Sequence, residues 1–181
     1  KVSEDLTEMP ILSWEWKLKY SVATSDLRIK GKDDRAAAVY VTFPYNPKHA
    51  SLAENLLRPI IELARGKNAP GRAISYVWSG FGQPHELIES PFLGFANAII
   101  ILRNQKDQPG QWRIEEVEVV ADHKRAFGFV PTRTAHILLS ADSDDTKSKN
   151  HAFVRRIQFS GRSLDKAARN KKYSGTLRLY M

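Results

Sequence analysis

"LSWEWKLKYSV", residues 12–22, decides the fold. Its period is two: Leu12, Trp14, Trp16, Leu18, Tyr20 and Val22 share one face, and Ser13, Glu15, Lys17, Lys19 and Ser21 share the other. This alternation predicts a half-buried antiparallel strand, packed on one face and wet on the other. Outward from it, "AAAVYVTF" (36–43) is β-branched and aromatic and stops at Pro44. "AISYVWS" (73–79) alternates in the same way. "NAIIILRN" (97–104) is apolar on both faces and belongs inside a sheet. "WRIEEVEVVAD" (112–122), "TAHILLSA" (134–141) and "HAFVRRIQF" (151–159) follow, with "GTLRLYM" (175–181) a weaker strand.

Helical spacing is rarer. Leu52, Leu56, Ile60 and Leu63 predict a helical insertion over about 48–65, with Gly66 as its stop and Pro59 set to kink or split it. Ser163 is placed to cap a short second helix over Leu164 to Lys171. The sum is a mostly β fold: an antiparallel two-sheet β-sandwich of jelly-roll type over residues 1–160, and a basic C-terminal extension over 161–181.

Composition narrows the function. No apolar run approaches the ~20 residues of a membrane span. Cysteine is absent, which removes disulfides, thiolate metal sites and a cysteine nucleophile. The first residue is Lys1; a cleaved export signal is one explanation and trimming is another. The net charge of +8 is not spread evenly. From His151 onward the chain holds eight of its 28 Lys/Arg but one of its 20 acids, Asp165. A nucleic-acid groove asks for a basic body, so nucleic acid is not the expected partner. A basic end suits solubility, an acidic partner or peripheral contact with an anionic membrane, through Arg162, Lys166, Arg169, Lys171 and Lys172.

Three carboxylates, Asp142, Asp144 and Asp145, follow a strand end in "LLSADSDDTKSKN" (138–150). Oxygen-rich loops of this kind hold calcium, although the glycine and closing glutamate of an EF-hand are missing. The competing reading is a turn closed by side-chain-to-backbone bonds, and a third pairs the acids with Lys17, Arg35 or Arg133. Asp33, Asp34 and Arg35 form a second cluster ahead of a strand, as a polar lead-in or as a ligand contact. Asp122 beside His123 suggests acid–base work, but neighbours in a strand point to opposite faces. Trp14 and Trp16 share a face with Leu12 and Leu18, so core packing outweighs sugar stacking. Nucleophile-elbow, phosphate-loop and dinucleotide signatures are absent.

The order of these segments resembles one family. A Trp-x-Trp-Lys strand (Trp14, Trp16, Lys17), an Asp-Asp lead-in (Asp33, Asp34) and a Tyr-Val-Trp strand (Tyr76, Trp78) come first. A Trp strand running to Asp and Phe-Gly (Trp112, Asp122, Phe127, Gly128) and an Asp-x-Asp-x-Thr loop (Asp142, Asp144, Thr146) complete the set. Over roughly residues 10–160 this is similar to the bacterial domain-of-unknown-function family 3047. The resemblance implies an exported, lectin-like β-sandwich and a periplasmic or extracellular location; it implies no catalytic residues.

The expected function is a non-catalytic binding or interaction module. It would take a glycan or a partner protein at one loop end, either alone or as a subunit of a larger assembly. Asp33, Asp34, Arg35 and Asp122 are the expected ligand contacts, and Asp142, Asp144 and Asp145 the expected calcium ligands. The alternative is a polysaccharide lyase or glycosidase on the same scaffold, with its carboxylates facing across a cleft.

Overall fold

A computed structural model describes residues 3–20, 25–92, 94–161 and 176–180. The strands are β1 (Ile11–Leu18), β2 (Ala37–Pro44), β3 (Pro70–Trp78), β4 (Leu87–Ser90), β5 (Gly94–Arg103), β6 (Arg113–Glu118), β7 (His136–Ser140), β8 (His151–Ser160) and β9 (Thr176–Tyr180). Helix α1 (Leu52–Arg65) separates β2 from β3, and α2 (Val119–Phe127) follows β6 directly. They form two sheets, β6-β1-β8-β9 and β4-β5-β3-β2-β7, arranged as a two-sheet β-sandwich. The sequence predicted antiparallel sheets throughout, but β3 and β5 run parallel. β5 lies between β3 and β4 in the sheet, parallel to the first and antiparallel to the second, with β4 placed at the sheet edge. Part of the C-terminal extension joins the first sheet, because β9 pairs with β8. The predicted helix over Leu164 to Lys171, the basic group Arg162, Lys166, Arg169, Lys171 and Lys172, and Val22 lie outside the described residues.

The alternation in β1 becomes the core. Leu12, Trp14, Trp16 and Leu18 are fully buried. Trp14 meets Trp16 edge-on at 5.4 Å between centroids and Tyr76 at 5.7 Å, and Trp16 meets Trp78 at 5.7 Å. The Trp16 indole N–H donates to Glu115 Oε1 at 2.8 Å, so its polar edge is satisfied. Each such side chain contributes on the order of 2–3 kcal/mol by burial.

The opposite face of β1, predicted wet, is covered in its first half, whereas Lys19 stays exposed. Ser13 and Glu15 are buried. A bulge lies here: the three residues of β1 from Ser13 to Glu15 run opposite the four of β8 from Arg155 to Gln158, and Arg156 adopts φ 54°. Consecutive arginines then reach one carboxylate, with Arg155 and Arg156 on the two oxygens of Glu15 at 2.7 and 2.5 Å. Arg155 also lies 3.8 Å above the Trp112 ring. Long cationic side chains shield that face with their stems and keep their charges paired.

The run "EEVEVVAD" is strand only to Glu118; Asp122 and His123 stand on α2, not after a strand. Val119, Val120 and Phe127 pack α2 against the inter-sheet core, at positions that fit a helix. Gly128 ends it in the left-handed conformation, φ 81°, with its N–H on the Lys124 carbonyl. Pro59 does not split α1, which runs unbroken from Leu52 to Arg65.

Candidate functional site

The start of β2 and the end of β7 are register partners, Ala38 opposite Ser140, so the segments flanking them meet at one end of the sandwich. This pairing brings Asp33, Asp34 and Arg35 to the Asp142 loop. The Asp142 N–H donates to the Arg35 carbonyl at 2.8 Å. Carboxylate oxygens of Asp34, Asp142 and Asp144 lie within 4.8 Å of one another.

Asp34 is fully buried and closes the turn. It accepts from the Asp145 N–H at 3.2 Å, the Thr146 N–H at 2.7 Å and the Thr146 hydroxyl at 2.5 Å. The turn reading of this loop therefore has a physical basis, but the capping carboxylate comes from the preceding segment of the chain. A carboxylate offers about four acceptor directions, so Asp34 keeps one free. Asp33 pairs with Arg35 at 3.3 Å.

Charge is crowded here. Burial, the Asp144 carboxylate and the charge on Asp34 push the Asp142 carboxyl up to about 6. Asp144 accepts the Asp142 proton in a hydrogen bond and is pushed down. Below about pH 6 the pair shares one proton, as close carboxylates do. Asn150 is buried beside them. Its amide nitrogen donates to the carbonyls of Arg35 (3.3 Å) and Asp142 (3.4 Å), and its Oδ1 has no partner. Hard oxygen donors of this kind suit calcium.

Asp122 is not part of this group. It accepts from the Tyr76 hydroxyl at 3.1 Å and pairs with Arg125 at 3.3 Å. Burial raises its carboxyl above the usual range. Lys17 and Arg133, read as partners of the Asp loop, also lie elsewhere: Lys17 over Trp112 and Phe153, and Arg133 in a cavity beyond the Pro44 end of β2.

That cavity, of about 220 Å³, was not foreseen. Tyr45, Glu54, Arg72, His123, Phe129 and Arg133 contribute to its wall. Arg72 pairs with Glu54 at 3.3 Å and lies 5.0 and 5.2 Å from the Phe127 and Phe129 rings. His123 bonds the Phe129 carbonyl through Nδ1 at 2.8 Å. Burial, reinforced by the charge of Arg72, lowers its pKa to about 4, so the ring is neutral at pH 7. Its donors and acceptors come from segments far apart in sequence, with no spacing to betray them.

The sequence model of a family described as "Protein of unknown function (DUF3047)" matches residues 1–158. The chain belongs to that family. A search among curated proteins finds no match.

Proposed function

We propose that the chain is a non-catalytic binding module. Its Asp34–Asp142–Asp144 end holds a calcium ion and presents it to a glycan or a partner protein. The observation that carries this reading is the convergence of three carboxylates within 4.8 Å, drawn from two separate segments. The unpartnered Oδ1 of buried Asn150 supports it as a neighbouring oxygen donor. Asp144 and Asp145 are the exposed acids of the loop, and Asp142 is half-buried between them and Asp34. A site with so few free ligands suits the weak range of extracellular modules, about 10⁻⁴ to 10⁻³ M, which fits an exported, periplasmic or extracellular protein.

A polysaccharide-cleaving enzyme is less well supported. A glycosidase sets its two carboxyls roughly 5 to 10 Å apart with sugar between them. Here the acids crowd into one cluster, Asp34 is fully buried, and Asp33 is held by Arg35.

Calcium titration by calorimetry, followed by a glycan array with calcium and with chelator, tests the reading. Saturable calcium binding that Asp142→Asn weakens at least about tenfold is expected. No heat with calcium, or equal heat in the variant, would sink the cation site. Glycan binding indifferent to chelator would leave a lectin without a metal.

A further inference from the structure

We propose that the outward face of α1 is a docking surface for anionic phospholipid membranes. The helix sits on the body the wrong way round for a core helix. At 100° per residue, Leu52, Leu56, Ile60 and Leu63 fall within a sector of about 80°, and Glu54, Arg58 and Glu62 within another on the far side. The polar sector is the one that touches the protein. Arg58 is buried and donates to the carbonyls of Ala69 (2.7 Å), Lys67 (3.3 Å) and Pro70 (3.5 Å). It also bonds Glu62 at 2.8 Å and lies 4.3 Å from the Tyr45 ring centroid. Glu54 joins the Ser51 capping box and pairs with Arg72.

The apolar sector faces outward. Leu52 and Leu63 are each 90% exposed, Leu56 79% and Ile60 64%. Leu57 and Ile61 line a shallow cleft with Phe92, itself 55% exposed, so the patch continues beyond the helix. Contiguous apolar surface of this kind marks a contact site.

Charge selects the occupant. Both acids of α1 are paired inward, with Arg58 and Arg72. Lys48 and Lys67 flank the helix, are exposed, and form no ion pair among the described residues. Lys30, 5.3 Å from the Phe92 ring centroid, adds a third cation beside the patch. An apolar helix face bordered by cations is the pattern of a surface-lying helix: the leucines enter the acyl boundary and the basic side chains reach the headgroups. A second copy fits less well. Antiparallel pairing of two α1 faces would set Lys48 of one against Lys67 of the other, and parallel pairing would oppose identical charges.

Flotation with vesicles of phosphatidylcholine alone, and with about a third phosphatidylglycerol, tests this. The protein should float with the anionic vesicles and be released by salt. Leu56→Glu with Ile60→Glu should lower partitioning about tenfold or more per side chain withdrawn from the lipid. Both positions are exposed, so the double variant should keep the wild-type near-ultraviolet circular dichroism. Lys48→Glu with Lys67→Glu should weaken binding to the anionic vesicles, leaving the apolar face intact. Absence of the protein from the anionic vesicles, or equal flotation of the Leu56/Ile60 variant, would overturn the proposal. A dimer in sedimentation velocity that this variant dissociates, without vesicle binding, would make the face a self-interface instead.

Discussion

β1 and α1 carry the two clearest apolar stripes in the chain, and they meet opposite fates. Leu12, Trp14, Trp16 and Leu18 vanish into the core, whereas Leu52, Leu56, Ile60 and Leu63 face outward. The difference lies in what the second face of each element can bind. β1 has strands on both sides and Tyr76 and Trp78 opposite, so its apolar face closes the sandwich. α1 folds back on the turn that follows it, where the buried Arg58 guanidinium bonds the carbonyls of Lys67, Ala69 and Pro70. The polar face finds carbonyl, carboxylate and arginine partners on that side, and it takes the inward position. Periodicity identifies an element; the partner surface decides which way it turns.

The sharpest test of the contrast is Trp16→Ala, which should cost about 3–5 kcal/mol in denaturant unfolding. A loss near zero would mean that β1 is not the core strand. Arg58→Met should follow, at about 2–3 kcal/mol, since three carbonyls lose a charged donor. If instead the variant is as stable as wild type, α1 is not anchored by its polar face.

Asp34→Ala should cost about 1–3 kcal/mol by stranding the N–H groups of Asp145 and Thr146. Asp142→Asn works in the other direction and depends on pH. The folded pKa of Asp142 is raised to about 6 from an ordinary value of 3.8, so its proton stabilises the fold at low pH. That contribution fades as pH rises from about 4 to 6. His123 has the opposite sign: its folded pKa is lowered from 6.5 to about 4, so stability falls on acidification through that window. The two partly cancel in the wild type between pH 4 and 6. Asp142→Asn should uncover the acid lability of His123, read as a steeper fall in melting temperature below pH 6. A profile unchanged by the substitution would remove Asp142 from the charge cluster. Smallest of all, Leu63→Ser should shift stability by no more than about 0.5 kcal/mol, since Leu63 already faces outward. A large loss would place α1 with its leucines inward.

Much of the fold was legible. The strands around Trp14, Val39, Tyr76, Ile100 and Val154 announced themselves because a period of two, or a doubly apolar run, survives any arrangement of the sheets. Misreadings occurred where two patterns overlap. Val117 and Val119 continue the strand alternation, but Val119, Val120, His123 and Phe127 fit a helix, and Glu118 makes no side-chain cap bond to announce its start. The Asp34–Asp142 grouping was half legible: each cluster stood out, and only the pairing of β2 with β7 joined them. The Arg72–His123 cavity left no trace, because its parts are spaced by the fold rather than by a repeat.

The sequence by itself determined the sandwich class, the helical insertion and the acidic loop, since each rests on local periodicity and chemistry within a few residues. Tertiary structure decided the parallel β3–β5 pair, the shared carboxylate cluster and the outward turn of the α1 leucines. Each of these depends on which distant surface offers a matching partner, and neither propensity nor period encodes that.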